Sequence, residues 1–169
     1  MSAPKAVLLT GVYGSGKSSM CEEIAELLEE AGTAYGAIDL DWLGWFHVFG
    51  LADDEHDRVG LSNLSAVVGN YMSAGVDHFV LAGFVGSAAD LGAFRTALPF
   101  PIRVVRLTLP YEEVEVRLSS AVTAGRAKDL QEARLQSERV DAEIGDLVVA
   151  NDRPIRKVAD EILDWLNWR

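Results

Sequence analysis

Eight consecutive residues, Gly11-Val12-Tyr13-Gly14-Ser15-Gly16-Lys17-Ser18, follow the pattern G-x-x-x-x-G-K-[ST] without departure. Each fixed position has a chemical reason. Glycines let the backbone turn tightly, so that successive N–H groups point inward at phosphate oxygens. A helix opening at Lys17 adds its positive end at the same point. In such a loop the lysine reaches the β- and γ-phosphates, and the Ser18 hydroxyl is placed to ligate Mg²⁺. Gly11, Gly14, Ser15, Gly16, Lys17, Ser18 and Ser19 are therefore the expected contacts of a nucleoside triphosphate. ATP and Mg²⁺ are the expected cofactors. The bland alternative is a glycine-rich turn that binds nothing.

A second feature is Asp39-Leu40-Asp41. Read as the end of a strand, two residues with this spacing point to the same side. Carboxyl ends of strands line the ligand crevice in open α/β sheets. Phosphoryl transfer needs one acid near Mg²⁺ and one near the acceptor hydroxyl, and this pair offers both. The alternative is two solvated acids, one of them a cap for the Trp42 segment. No group of His, Cys, Asp and Glu has the spacing of a protein metal cage.

The elements that must position these groups alternate along the chain. Lys5 to Thr10 reads as a buried strand that stops at the glycine loop. From Lys17, Met20, Ile24, Leu27, Leu28 and Ala31 mark one face of a helix ending at Gly32. Ala34 to Asp39 reads as a second strand, followed by an irregular aromatic and acidic stretch from Asp41 to about Gly60. Leu61, Leu64, Val68 and Tyr71 then recur at helical spacing. Strands are expected at His78–Ala82, Arg103–Leu109 and Asp146–Ala150. Helices are expected at Ser87–Leu98, from Pro110 to Gly125, over about Lys128–Glu143, and after Pro154. Short apolar strands alternating with helices predict a parallel sheet covered on both faces.

Composition bounds the rest. The chain has 169 residues, enough for one domain with its own core. One cysteine, Cys21, cannot form an internal disulfide, and no signal-peptide pattern or membrane-length apolar run is visible, so a cytoplasmic location is expected. The net charge of -11 argues against nucleic acid or an anionic membrane as partner. Residues 1–94 carry 3 basic and 13 acidic side chains, residues 95–169 carry 12 and 13, so the arginines concentrate in the second half. They sit on solvated helix faces or meet a phosphate. Trp42 to Arg58 offers Trp45, Phe46, His47, Phe49, His56 and Arg58. Aromatic walls and one cation would suit a small polar or anionic acceptor, while Trp42, Trp45 and Phe46 equally suit a core or a self-association surface.

With its glycine loop between strand and helix, the chain resembles the P-loop kinases of the nucleotide-kinase-like group, which includes adenylate, shikimate, gluconate and adenylylsulfate kinases. Asp39-Leu40-Asp41, Asn63-Leu64 and Asn70-Tyr71 are similar to features of small bacterial adenylylsulfate-kinase-like ATP-binding proteins. The resemblance implies a three-layer α/β fold with five parallel strands in the order 2-3-1-4-5. It implies Asp39 at the metal with Ser18, and Asp41 at the acceptor hydroxyl. It implies a lid at about 117–130 that brings arginines to the phosphoryl group, for which Arg117 and Arg126 are the first candidates and Arg134 and Arg139 the next. The loop beginning at Asn151 would pass the adenine base. The expected organisation is one domain over residues 1–169 with an acceptor-region insertion at about 41–60.

One departure matters. A third strand of such a protein ends in an acid, whereas His78-Phe79-Val80-Leu81-Ala82 runs into Gly83-Phe84-Val85-Gly86. The expected function is an ATP-dependent kinase for a small molecule. A nucleotide-binding regulator with little or no turnover is the alternative, and a GTPase-type switch a weaker one. No N-K-x-D base-reading motif supports the switch, and Asp57-Arg58-Val59-Gly60 precedes a helix rather than ending a strand.

Overall fold

The computed structural model describes residues 3–119, 129–141 and 143–168. Five strands form one sheet: β1 (Lys5–Thr10), β2 (Tyr35–Asp39), β3 (His78–Ala82), β4 (Ile102–Thr108) and β5 (Leu147–Ala150). All pairings are parallel, and the order is β2-β3-β1-β4-β5. Around them lie α1 (Lys17–Glu30), α2 (Leu40–Leu43), α3 (Asp53–Ser73), α4 (Ala88–Ala97), α5 (Tyr111–Ser119), α6 (Asp129–Arg139) and α7 (Ile155–Leu166). Among the described residues no helix is long and apolar enough to cross a membrane.

Strand alternation divides the core in two. In β1, Val7 and Leu9 face one way, toward Met20, Ile24 and Leu28 of α1 and Val158, Ile162 and Leu163 of α7. Ala6 and Leu8 face the other way, toward Leu64 and Val68 of α3 and Leu91 of α4. Because both faces are covered, β1 can be apolar at every position from Ala6 to Leu9, and all four residues are buried. Central placement sets the glycine loop in the middle of the carboxyl edge of the sheet, where ligands of open α/β sheets bind.

One local expectation is corrected and one open alternative is narrowed. The stretch from Asp41 to Gly60 is not irregular throughout: α2 begins at Leu40, and α3 begins at Asp53. Three acids, Asp53, Asp54 and Glu55, fill the first turn of α3 and complement its positive end. This charge signal lies outside the apolar periodicity that started the helix at Leu61. Trp42 and Trp45 do not join the core, being 69% and 75% exposed, and their rings meet each other at 4.9 Å.

Candidate functional site

The glycine loop turns between β1 and α1 under tight steric control. Gly11 has φ 147°, and a Cβ there would lie 2.5 Å from the Leu107 carbonyl oxygen. Gly16 has φ 91°, and a Cβ there would lie 2.5 Å from Nδ2 of Asn151. That amide, on the loop after β5, donates to the Ser15 carbonyl at 2.8 Å. Asn151 is itself buried and donates its backbone N–H to Thr108. The carboxyl ends of three strands thus brace the loop. Gly11→Ala is expected to cost about 1–3 kcal/mol of stability, because the neighbouring atom is backbone and cannot swing aside. Chemical denaturation of the two proteins measures this, and an unchanged midpoint would contradict the reading.

The start of α1 has the features that suit an anion. Gly16 caps it in a left-handed conformation, with no side-chain cap and no acid in the first turn. The first N–H groups of a helix have no partner within it, so they remain available to a ligand. The Ser15 hydroxyl is buried with no hydrogen-bond partner among the described residues. Lys17 is buried, and Nζ donates to the carbonyls of Gly11 at 3.0 Å and Val12 at 3.1 Å. Burial lowers the pKa of its ammonium, while the charges of Asp41 and Asp39 oppose the shift.

The carboxylates lie alongside. Ser18 Oγ donates to Asp39 Oδ2 at 2.6 Å, and Asp39 Oδ1 accepts the backbone N–H of Asp41 at 3.0 Å. Asp39 is therefore the N-cap of α2 as well as the partner of Ser18. Asp41 occupies the first turn of that helix, so it reaches the crevice by a helical turn and not by strand alternation. Its side chain remains open to solvent on one side. Partial desolvation and the neighbouring Asp39 raise its pKa, and Lys17 partly offsets them.

Asp41 also lines a cavity of about 450 Å³, between α2, α3 and α4. Leu40, His56, Leu61, Phe84 and Phe94 form its less polar walls, and Asp57 and Asp90 face it as well. Its aromatic wall comes from Phe84 and Phe94 and not from Trp45 or Phe49, which point to solvent. Phe46 stacks on the ring of the lining residue His56 at 4.4 Å and is not itself in the lining. His47 is exposed and away from the lining. The cation expected in this region is also absent from the lining: Arg58 pairs with Glu55 at 3.3 Å with its side chain 75% exposed. No periodicity reading finds Asp57, Phe84, Asp90 and Phe94, because they converge only when α3 and α4 pack together.

On the other side of the loop, Arg117 on α5 donates to the Asn151 carbonyl at 3.0 Å, with its guanidinium near Gly16. Arg126 lies outside the described residues. Arg134 lines a different cavity of about 470 Å³, which touches the loop at Gly11 and Val12 but not at Lys17, and it pairs with Glu138 at 3.5 Å. Arg139 is exposed at the end of α6, and Ser19 is exposed in the first turn of α1. Gln136, which the sequence did not single out, is buried on α6 and accepts the Tyr13 N–H at 2.6 Å. A lone glutamine on a charged helix carries no signal in sequence.

These residues fit a nucleotide with Mg²⁺. The helix start is uncapped and free of acid, a buried hydroxyl lacks a partner, and the cradle has no room for a Cβ at Gly11 or Gly16. No group of three or more His, Cys, Asp or Glu among the described residues makes a metal cage. Ser18 and Asp39 supply two hard oxygens, which suits Mg²⁺, an ion that keeps waters and takes its other ligands from phosphates.

No family model and no curated protein matches the sequence. Solved structures do match the fold. A sugar kinase from Janibacter sp. is 20% identical, with 97% of this chain and 95% of that chain covered and a TM-score of 0.72. The APS kinase of Mycobacterium tuberculosis, solved with AMPPNP and APS, is 25% identical over 99% of both chains, with a TM-score of 0.69. A gluconokinase from Sinorhizobium meliloti is 19% identical over 99% of this chain and 94% of that one, with a TM-score of 0.66.

Proposed function

From the fold of the nucleotide-kinase-like P-loop kinases, which this chain has, we propose that it transfers a phosphoryl group from ATP to a hydroxyl of a small molecule. One observation carries the proposal: Asp41, whose backbone N–H bonds the same Asp39 that pairs with Ser18 of the glycine loop, lines a partly open cavity of about 450 Å³.

The roles follow from position. The N–H groups at the start of α1, the Ser15 hydroxyl and Lys17 hold the phosphates of ATP, and Ser18 and Asp39 hold the Mg²⁺ shell. When bound, ATP and Mg²⁺ supply the phosphoryl group and screen its charge. To meet the phosphates, Lys17 exchanges its bonds to the Gly11 and Val12 carbonyls for phosphate oxygens. Asp41 orients the acceptor hydroxyl and takes its proton. The acceptor oxygen bonds to the γ-phosphorus while the bond from that phosphorus to the ADP oxygen breaks, and the electron pair leaves with ADP. Such a reaction asks little covalent chemistry of the protein, so the work is placement and charge. Asn151 and Arg117 flank the loop on the nucleotide side, and Arg117 or Arg126, on the segment at about 117–130, closes over the γ-phosphate. The segment at about 41–60 contributes Asp41, Gly44, His56, Asp57 and Gly60 to the acceptor cavity of one domain. The missing acid at the end of β3 is compensated by Asp39, which faces Ala82 across the β2–β3 pairing.

Release of ADP from ATP and Mg²⁺, measured with and without a panel of hydroxyl compounds, tests the proposal. At least one compound should raise the rate well above the rate in water alone. A rate that no compound changes would favour the regulator.

A further inference from the structure

The cavity beside Asp41 has an acidic lining. Among the described residues its lining includes three carboxylates, from α2 (Asp41), α3 (Asp57) and α4 (Asp90), with His56 from α3 and neither Lys nor Arg. Asp90 is held in place by the N–H groups of Ser87 at 2.9 Å and Gly86 at 3.2 Å, as one half of the capping box of α4. Asp57 has no such engagement with another described side chain, and Arg58 beside it turns to Glu55 and leaves the wall acidic. Between the acids stand Leu40, Leu61 and the rings of Phe84 and Phe94. Gluconate, shikimate and APS are anions, and an anion of that kind would meet three like charges here, with His56 the one basic side chain among the described lining residues. Like-charge juxtaposition in a cleft is a strong element of rejection.

We propose that the acceptor is a hydroxyl compound bearing a protonated amine, of the amino-sugar or amino-alcohol class. Its hydroxyl meets Asp41, its ammonium lies between Asp57 and Asp90, and its carbon skeleton lies on Phe84 and Phe94. Charge-assisted hydrogen bonds from ammonium to carboxylate hold it more firmly than neutral ones would, and aromatic faces add to the hold on a cation. The proposal rests on the kinase reading above and narrows it.

The test uses the full chain with ATP and Mg²⁺, and ADP release as readout. The probes are amino sugars and amino alcohols, the same compounds N-acetylated, and hydroxy acids of similar size. An amine probe should be phosphorylated, N-acetylation should abolish its turnover, and hydroxy acids should stay inert. Asp57→Asn should raise KM for the amine probe about 10- to 100-fold, the scale of a lost hydrogen bond to a charged group, with a much smaller change in kcat. Phosphorylation of the N-acetylated or acidic probes at equal or better kcat/KM would overturn the charge assignment and leave the kinase reading standing. So would an Asp57→Asn variant with unchanged KM. ADP release that no probe stimulates would overturn the kinase reading and this inference with it.

Discussion

Replacing Lys17 with alanine should abolish most of the thermal stabilisation that ATP and Mg²⁺ give the protein. A ligand present at about 100 times its Kd stabilises the folded state by about 2.7 kcal/mol. For a chain of this size that corresponds to a rise in Tm of about 5–10 °C. Lys17 is buried between the loop carbonyls and the two aspartates, and burial already lowers its pKa. The ligand-free variant loses a partly desolvated cation, so its own melting point should change less than its response to nucleotide. Melting curves with and without ATP and Mg²⁺ separate the two effects. An equal shift in both proteins would place nucleotide elsewhere.

Asp41→Asn should leave ATP binding intact and lower turnover by about 10² or more, the usual scale for a lost general base. A second effect of this substitution has the opposite sign. Desolvation and Asp39 raise the pKa of Asp41 in the folded chain. A carboxyl with a raised folded pKa favours the fold while protonated, and that contribution is lost as pH rises through the folded pKa. At neutral pH the ionised Asp41 is therefore a burden on the fold, and Asn relieves it. The variant should melt at the same temperature as the parent or higher at neutral pH, and the difference should shrink in acid, where both side chains are neutral. Turnover of the parent should fall on the acid side at a pH above that of an ordinary aspartate. A variant that loses stability and activity together would make Asp41 a structural residue.

Much of the fold can be read from local pattern. The apolar run Ala6–Leu9 and the loop after it mark a central strand, because only a strand covered on both faces is apolar at every position. The glycines of the loop are legible for the same physical reason that the structure enforces them, which is the absence of room for a Cβ. The arrangement of Asp39 is half legible. Its spacing to Asp41 points to a shared site, but the pair of hydrogen bonds it accepts, from Ser18 Oγ and from the Asp41 N–H, depends on a four-residue helix that periodicity cannot reveal. The cavity beside Asp41 is the least legible part. Asp57 looked incidental as the start of a D-x-x-G, and Asp90 looks like a cap when read alone. Their meeting with Phe84 and Phe94 is a property of helix packing over the sheet, and so of long-range contacts.

The central claim is transfer to a hydroxyl, and phosphorus-31 NMR of the complete reaction reads it directly. The protein is mixed with ATP, Mg²⁺ and the compound that most stimulates ADP release. Loss of the γ-phosphate signal should be matched by a new phosphate monoester signal, and Asp41→Asn should suppress both. Loss of the γ-signal into inorganic phosphate alone, or an Asp41→Asn variant that forms the monoester at the parent rate, would contradict the account.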